Sequence, residues 1–125
     1  MLSDNQAIAT IAVKDLSIAA KFYEGVLGLR AESREGQHLI AYQCGHSLLN
    51  VYRSEYAGTN KATAVAWAVG DDIEAEVRAL KAKGVTFEHY DMAGMKRVGD
   101  VHIGADMKVA WFKDPDGNIL NLVGQ

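Results

Sequence analysis

The sequence predicts an α+β fold built from two tandem β-α-β-β-β modules, and three observations carry that expectation. Residues 8–30 laid over residues 64–86 match at Ala12/Ala68, Val13/Val69, Asp15/Asp71, Ala19/Ala75 and Gly28/Gly84, so the chain reads as an internal repeat. Each copy runs in the same order, from a short apolar stretch through an Asp and a helical pattern to a Gly. Three β-type runs separated by turn residues then follow in each half. The modules fall at residues 6–54 and 62–125 of a single 125-residue domain.

In the first module the apolar run Ile8 to Val13 forms the opening strand. Asp15 is placed to cap the exposed N–H groups of a helix, and Ile18, Ala19, Phe22, Tyr23 and Val26 recur at spacings of three and four. Gly28 ends that helix. Strands are predicted over Leu29 to Arg34, His38 to Gln43 and Ser47 to Arg53, with a turn at Cys44-Gly45-His46. The second module repeats the plan from Ala64 to Val69. Asp71 or Asp72 caps, Ile73, Val77 and Leu80 make the apolar stripe, and Gly84 stops the helix. Glu74, Glu76, Arg78, Lys81 and Lys83 form its solvated face. Strands are predicted over Thr86 to Tyr90, Lys108 to Phe112 and Ile119 to Val123. Asp114-Pro115-Asp116-Gly117-Asn118 is the clearest turn in the chain. The stretch Asp91 to Asp106 reads as a long Gly- and Met-containing connection, a candidate mobile flap.

Composition narrows the function classes. Hydrophobic residues at 49% and charged residues at 23% describe an ordinary globular domain. The 13 Lys and Arg against 16 Asp and Glu give a net charge of −3, which repels a phosphate backbone and argues against nucleic acid as a partner. The single cysteine, Cys44, cannot form an intramolecular disulfide, which fits a reducing compartment. The opening residues Met1-Leu-Ser-Asp-Asn-Gln lack the basic start of a signal peptide, and no apolar run approaches the roughly 18 residues of a membrane span. A soluble cytoplasmic protein with no membrane partner is expected. Gly-rich phosphate loops, Gly-x-Ser-x-Gly, His-Glu-x-x-His and paired cysteines are all missing from the sequence.

Three segments add a resemblance: Ile11-Ala-Val-Lys-Asp-Leu, Phe22-Tyr-Glu-Gly-Val-Leu-Gly-Leu, and Trp111-Phe-Lys-Asp-Pro-Asp-Gly-Asn-Ile-Leu-Asn-Leu. Together with the paired modules they resemble the vicinal oxygen chelate superfamily, the glyoxalase, bleomycin-resistance and extradiol dioxygenase group. The resemblance spans essentially the whole chain. It implies a curved, cup-shaped mixed sheet, usually completed in a homodimer, with the ligand held in the cup. In catalytic members four cup-facing positions supply His, Gln or Glu to a divalent metal; here they align with Ile8, Asn50, Ala64 and Asn121. Two amides, an Ile and an Ala cannot neutralise a hard cation, so neither a metal site nor another cofactor is expected.

Strand alternation then nominates the cup lining, because residues two apart share a face. Ile8, Thr10 and Ala12 fall together, as do Ala64, Ala66 and Ala68, Leu48, Asn50 and Tyr52, and Ile119, Asn121 and Val123. From these, Ile8, Thr10, Leu48, Asn50, Tyr52, Ala64, Ala66 and Asn121 are taken as ligand-binding, a largely apolar wall with two amides and a phenol to orient an organic molecule. Trp67 falls in the opposite phase and is expected under the helices. Trp111 and Phe112 point to opposite faces of one strand, one core and the other cup-lining or interfacial. Of the histidines, His38 starts a strand, His46 sits in a turn and His89 ends a strand. His102, on the expected flap, is the candidate catalytic acid or base.

The leading expectation is a metal-independent protein that binds a small organic molecule, with drug sequestration as its use. The alternative is a lyase, isomerase, transferase or dioxygenase-type enzyme with a displaced active site built on His102, Tyr52 or His46. A third reading is an accessory module whose cup has closed and whose remaining role is its dimer interface.

Overall fold

A computed structural model describes residues 1–125. The chain divides into two compact units, Met1–Thr59 and Asn60–Gln125. Two helices and ten strands arranged in mixed sheets make the α+β fold expected from the sequence.

In the first unit, β1 (Ala9–Val13) hands the chain to α1 (Leu16–Ala20) through Asp15. The Asp15 carboxylate accepts hydrogen bonds from the Ser17 and Ile18 N–H groups at 2.8 and 3.2 Å, which satisfies two donors that the helix start leaves unpaired. After Ala20 the helix widens into a π turn over Lys21–Val26, in which the Leu27 N–H reaches back to the Phe22 carbonyl. That widening breaks the simple three-and-four spacing. Ala19 and Tyr23 are buried, whereas Ile18, placed on the apolar stripe from sequence, is 53% exposed. Tyr23 stacks on Tyr42, whose hydroxyl donates to Glu24 at 2.8 Å, while Arg34 pairs with the other Glu24 oxygen at 2.7 Å. Burial pushes the Glu24 carboxyl up, but these two hydrogen bonds outweigh it and hold the group below its ordinary range.

The remaining strands of this unit are β2 (Arg30–Glu35), β3 (Leu39–Cys44) and β4 (Ser47–Arg53), each within one residue of expectation at either end. Their order is β1-β4-β3-β2, with β1 parallel to β4 and the other pairs antiparallel. Ile11, Val13, Leu49 and Val51 alternate inward as the core of the sheet.

In the second unit, β5 (Thr63–Gly70) leads to α2 (Ile73–Ala82), whose Ile73, Val77 and Leu80 are buried as the stripe requires. Asp72 holds the N-cap position, but its side chain accepts no capping hydrogen bond. After β6 (Phe87–Glu88) the expected flap is instead a β-hairpin, β7 (Lys96–Val98) and β8 (Val101–Ile103), hydrogen-bonded to β9 (Lys108–Lys113). The turn-forming Gly99, at φ +61°, and the short runs on either side of it explain why the sequence reads as loop. With β10 (Ile119–Gly124) the strand order is β5-β10-β9-β8-β7, and β6 pairs with β9. Phe112, fully buried, stacks with Trp67 at 6.5 Å and meets Phe87 edge-on at 5.6 Å. Phe112 is therefore the core member of the Trp111/Phe112 pair, and Trp67 lies on the helix side as expected.

The inserted hairpin is tied down by charge. Asp100, between β7 and β8, accepts from Lys81 of α2 and pairs with His89, each at 2.7 Å. The Lys81 bond first, then His89, hold the Asp100 carboxyl below its usual range despite partial burial. A lowered folded-state pKa contributes stability that is present above the ordinary carboxylate range, about pH 4, and disappears as pH falls through the folded-state value. Asp100→Asn should therefore cost about 1–2 kcal/mol at pH 7, measured by urea denaturation, and the difference from the parent should shrink in acid.

Candidate functional site

The sheet face turned away from α2 carries the candidate site of the second unit. Asn121 of β10 sits in register with Trp111 of β9 on one side and Ala66 of β5 on the other, so the three share a face. Asn121 is only 8% exposed, yet its side-chain oxygen is buried with no hydrogen-bond partner. Leaving a buried acceptor unpaired costs about 1–3 kcal/mol, so a native protein that keeps one has a reason to do so. Beside it the Trp111 indole N–H donates to the Thr63 hydroxyl at 3.1 Å, which fixes the ring. Ala66 and Ala68 leave the opposite side open and exposed. The result is an acceptor flanked by a large aromatic wall and a small-residue floor.

The expected trio Ala64, Ala66 and Ala68 is altered at its first member. The β5/β10 pairing shifts between Thr63 opposite Ile119 and Val65 opposite Leu120, so Ala64 is the extra residue of a bulge. Thr63 takes the position in register. A bulge leaves no mark in an apolar run such as Ala64-Val65-Ala66-Trp67, so sequence pattern alone does not point to Thr63.

His102 lies on the same face, opposite Val109, but in strand β8 and not on a flap. It is 1% exposed. The Tyr90 N–H donates to its Nε2 at 3.0 Å, which requires an unprotonated nitrogen there and leaves Nδ1 as the protonated one, 3.3 Å from the Val109 carbonyl. Trp111 meets its ring edge-on at 4.8 Å and Tyr90 stacks at 6.3 Å. Both ring nitrogens are thus committed to backbone groups, and His102 serves here as the keystone that seats Trp111 and Tyr90.

In the first unit Thr10 pairs with Asn50 and Ala12 with Tyr52, so these four share a face with Leu48. Leu48 and Asn50 are half-buried, Thr10 is exposed and Tyr52 is 37% exposed. The Thr10 hydroxyl donates to the Ile8 carbonyl at 3.3 Å. Ile8 itself precedes β1 and is 44% exposed, which places it outside the strand it was expected to open. Of the other histidines, His38 lies just before β3, His46 lies in the turn before β4, and His89 follows β6.

The model of the glyoxalase/bleomycin resistance protein/dioxygenase superfamily matches residues 6–122. The chain belongs to that family. Solved structures share its fold. A lactoylglutathione lyase from Agrobacterium tumefaciens superposes with a TM-score of 0.72 at 16% identity, over 96% of this chain and 92% of that one. The fosfomycin resistance protein FosX from Listeria monocytogenes gives 0.73 at 15% identity, over 97% and 90%. TnmS3, an antibiotic binding protein from Streptomyces sp. CB03234, gives 0.66 at 19% identity, over 96% and 94%. No curated protein matches the chain at a significant level.

Membership raises the question of the family's divalent metal. Ile8 and Ala64 carry no donor atom, and Asn50 and Asn121 offer only neutral amides. No three His, Cys, Asp or Glu side chains are grouped so as to hold an ion. The residues present do not fit a hard divalent cation, which calls for convergent carboxylate or imidazole donors.

Proposed function

We propose that this chain binds a small organic molecule without a metal, each unit offering a sheet face of its own for it: Thr10, Leu48, Asn50 and Tyr52, with Ile8 beside them, in the first, and Ala66 and Asn121, with Thr63 in the place expected of Ala64, in the second. The buried, unpartnered side-chain oxygen of Asn121 carries this reading. An organic ligand bearing an N–H or O–H group would satisfy that acceptor once the Asn121 amide turns out of its buried position, while the ligand's apolar body packs on Trp111 and the alanines. Kinship with proteins named for antibiotic binding and fosfomycin resistance supports sequestration of a drug-like compound as its use. The proposal includes a homodimer in the cytoplasm; no helix is long and apolar enough to cross a membrane.

The enzyme alternative built on His102 requires that ring to surrender the Tyr90 amide before it takes a proton. Thermal-shift and calorimetric titration with bleomycin, fosfomycin and S-lactoylglutathione tests the proposal. Saturable binding by the metal-free protein supports it. Binding that appears only after a divalent ion is added, or turnover of any of the three, overturns it.

A further inference from the structure

The first unit contains a concave feature apart from the face that carries Asn50, at the carboxyl ends of its two parallel strands. β1 and β4 run side by side with Val13 opposite Arg53, so the chain leaves both strands at the same edge and Lys14 and Arg53 emerge as neighbours. The crevice outside the carboxyl ends of adjacent parallel strands is where an open sheet with a helical crossover leaves room for a ligand. Here it holds a cavity of about 410 Å³ lined by Lys14, Asp15, Leu16, Ser17, Gln37 and Arg53. A smaller one of about 220 Å³ adds Ser54 and Glu55 and shares Lys14 and Arg53 as its walls. The larger volume lies in the lower part of the range usual for small-molecule sites, about 300–1,000 Å³.

The lining is polar, and its charges are arranged unequally. Arg53, like most of the basic side chains, makes no ion pair with a carboxylate of the chain. Its backbone is nevertheless fixed: its N–H donates to the His38 carbonyl at 2.9 Å and the next N–H, of Ser54, donates to Val13 at 2.9 Å. Two carboxylates face the region. Asp15 has one oxygen engaged by the Ser17 hydroxyl and by the Ser17 and Ile18 N–H groups, and Glu55 lies only in the smaller cavity. The Ser17 hydroxyl bond and then the two amides hold the Asp15 carboxyl below its ordinary range.

We infer that this crevice is a binding site for a compact oxyanion, a phosphate or carboxylate group of a small molecule. The planar guanidinium of Arg53 matches two oxygens of either group in a forked contact, Lys14 adds a point charge, and the Gln37 amide supplies a neutral donor. The inference stands apart from the reading of Asn121.

Amide chemical shifts of the full-length protein, titrated with inorganic phosphate and in a second arm with malonate at ionic strength held constant by sodium chloride, test it. Saturable shifts confined to residues 14–17, 37 and 53–55 are expected, and the arm that produces them tells phosphate from carboxylate. Arg53→Gln should weaken the response about tenfold, the loss expected for one charge-assisted hydrogen bond, with Lys14→Gln as an independent second variant. Both positions are exposed, so the variants should fold, and their spectra would report this directly. Shifts that are absent in both arms, that fail to saturate, or that neither substitution alters would overturn the inference.

Discussion

Phe112→Ala should lower the unfolding free energy by about 3–5 kcal/mol, the cost of truncating a buried aromatic that cannot be replaced by collapse of its surroundings. Its ring is fully buried between Trp67 and Phe87, on the face that α2 covers with Ile73, Val77 and Leu80. A loss of that size is a large part of the roughly 5–15 kcal/mol that holds a typical domain folded. Chemical denaturation of the variant should show the fall in midpoint, and Trp111→Ala one residue away should cost clearly less. Trp111 is only half-buried and looks out from the opposite face. Equal costs for the two substitutions would mean that the sheet faces are assigned the wrong way round.

Gly124→Ala should also destabilise the fold, despite adding a single methyl group. A Cβ at Gly124 would overlap the Gly70 carbonyl oxygen and stand 3.0 Å from Cβ of Ile73. Neither neighbour can yield readily. Gly70 is in register with Gly124 at the end of the β5/β10 pair and has φ of +56°, and Ile73 is buried at the start of α2. Forcing extra volume into such a contact costs about 1–3 kcal/mol or more. Thermal unfolding of Gly124→Ala checks this, and a variant as stable as the parent would show that β10 does not approach α2 so closely.

Much of this architecture is legible in the residues. Asp15 and Gly28 mark the ends of the first helical stretch, and Ile73, Val77 and Leu80 define the buried stripe of the second. In the Asp114-to-Asn118 turn, the Asp114 carboxylate takes the Asp116 and Asn118 N–H groups at 2.9 and 2.8 Å. What failed depended on contacts that local pattern does not encode. The hairpin inside Asp91 to Asp106 consists of two three-residue strands, too short for alternation to register, and it is held by pairing with β9 and by Asp100 reaching Lys81 and His89. The π turn after Ala20 and the bulge at Ala64 each shift register by one residue without an unusual residue to announce it.

The same holds for the site. Asn121 stands out as an amide on an apolar strand, but only the folded sheet reveals that its oxygen is buried and unpaired. Thr63, Trp111 and Tyr90 join the site through pairing partners distant in sequence. His102, chosen for its chemistry, is buried in β8 with both ring nitrogens hydrogen-bonded to backbone groups, an environment that its sequence neighbours do not announce.

The most direct test of the central claim is the stability of Asn121→Leu, measured by urea denaturation and paired with titration of whichever compound the parent protein binds. If Asn121 is kept buried and unpaired for a ligand, replacing it with an apolar side chain of similar size should raise the unfolding free energy by about 1 kcal/mol or more and weaken binding at least tenfold. A variant that is less stable than the parent and binds equally well would contradict the account.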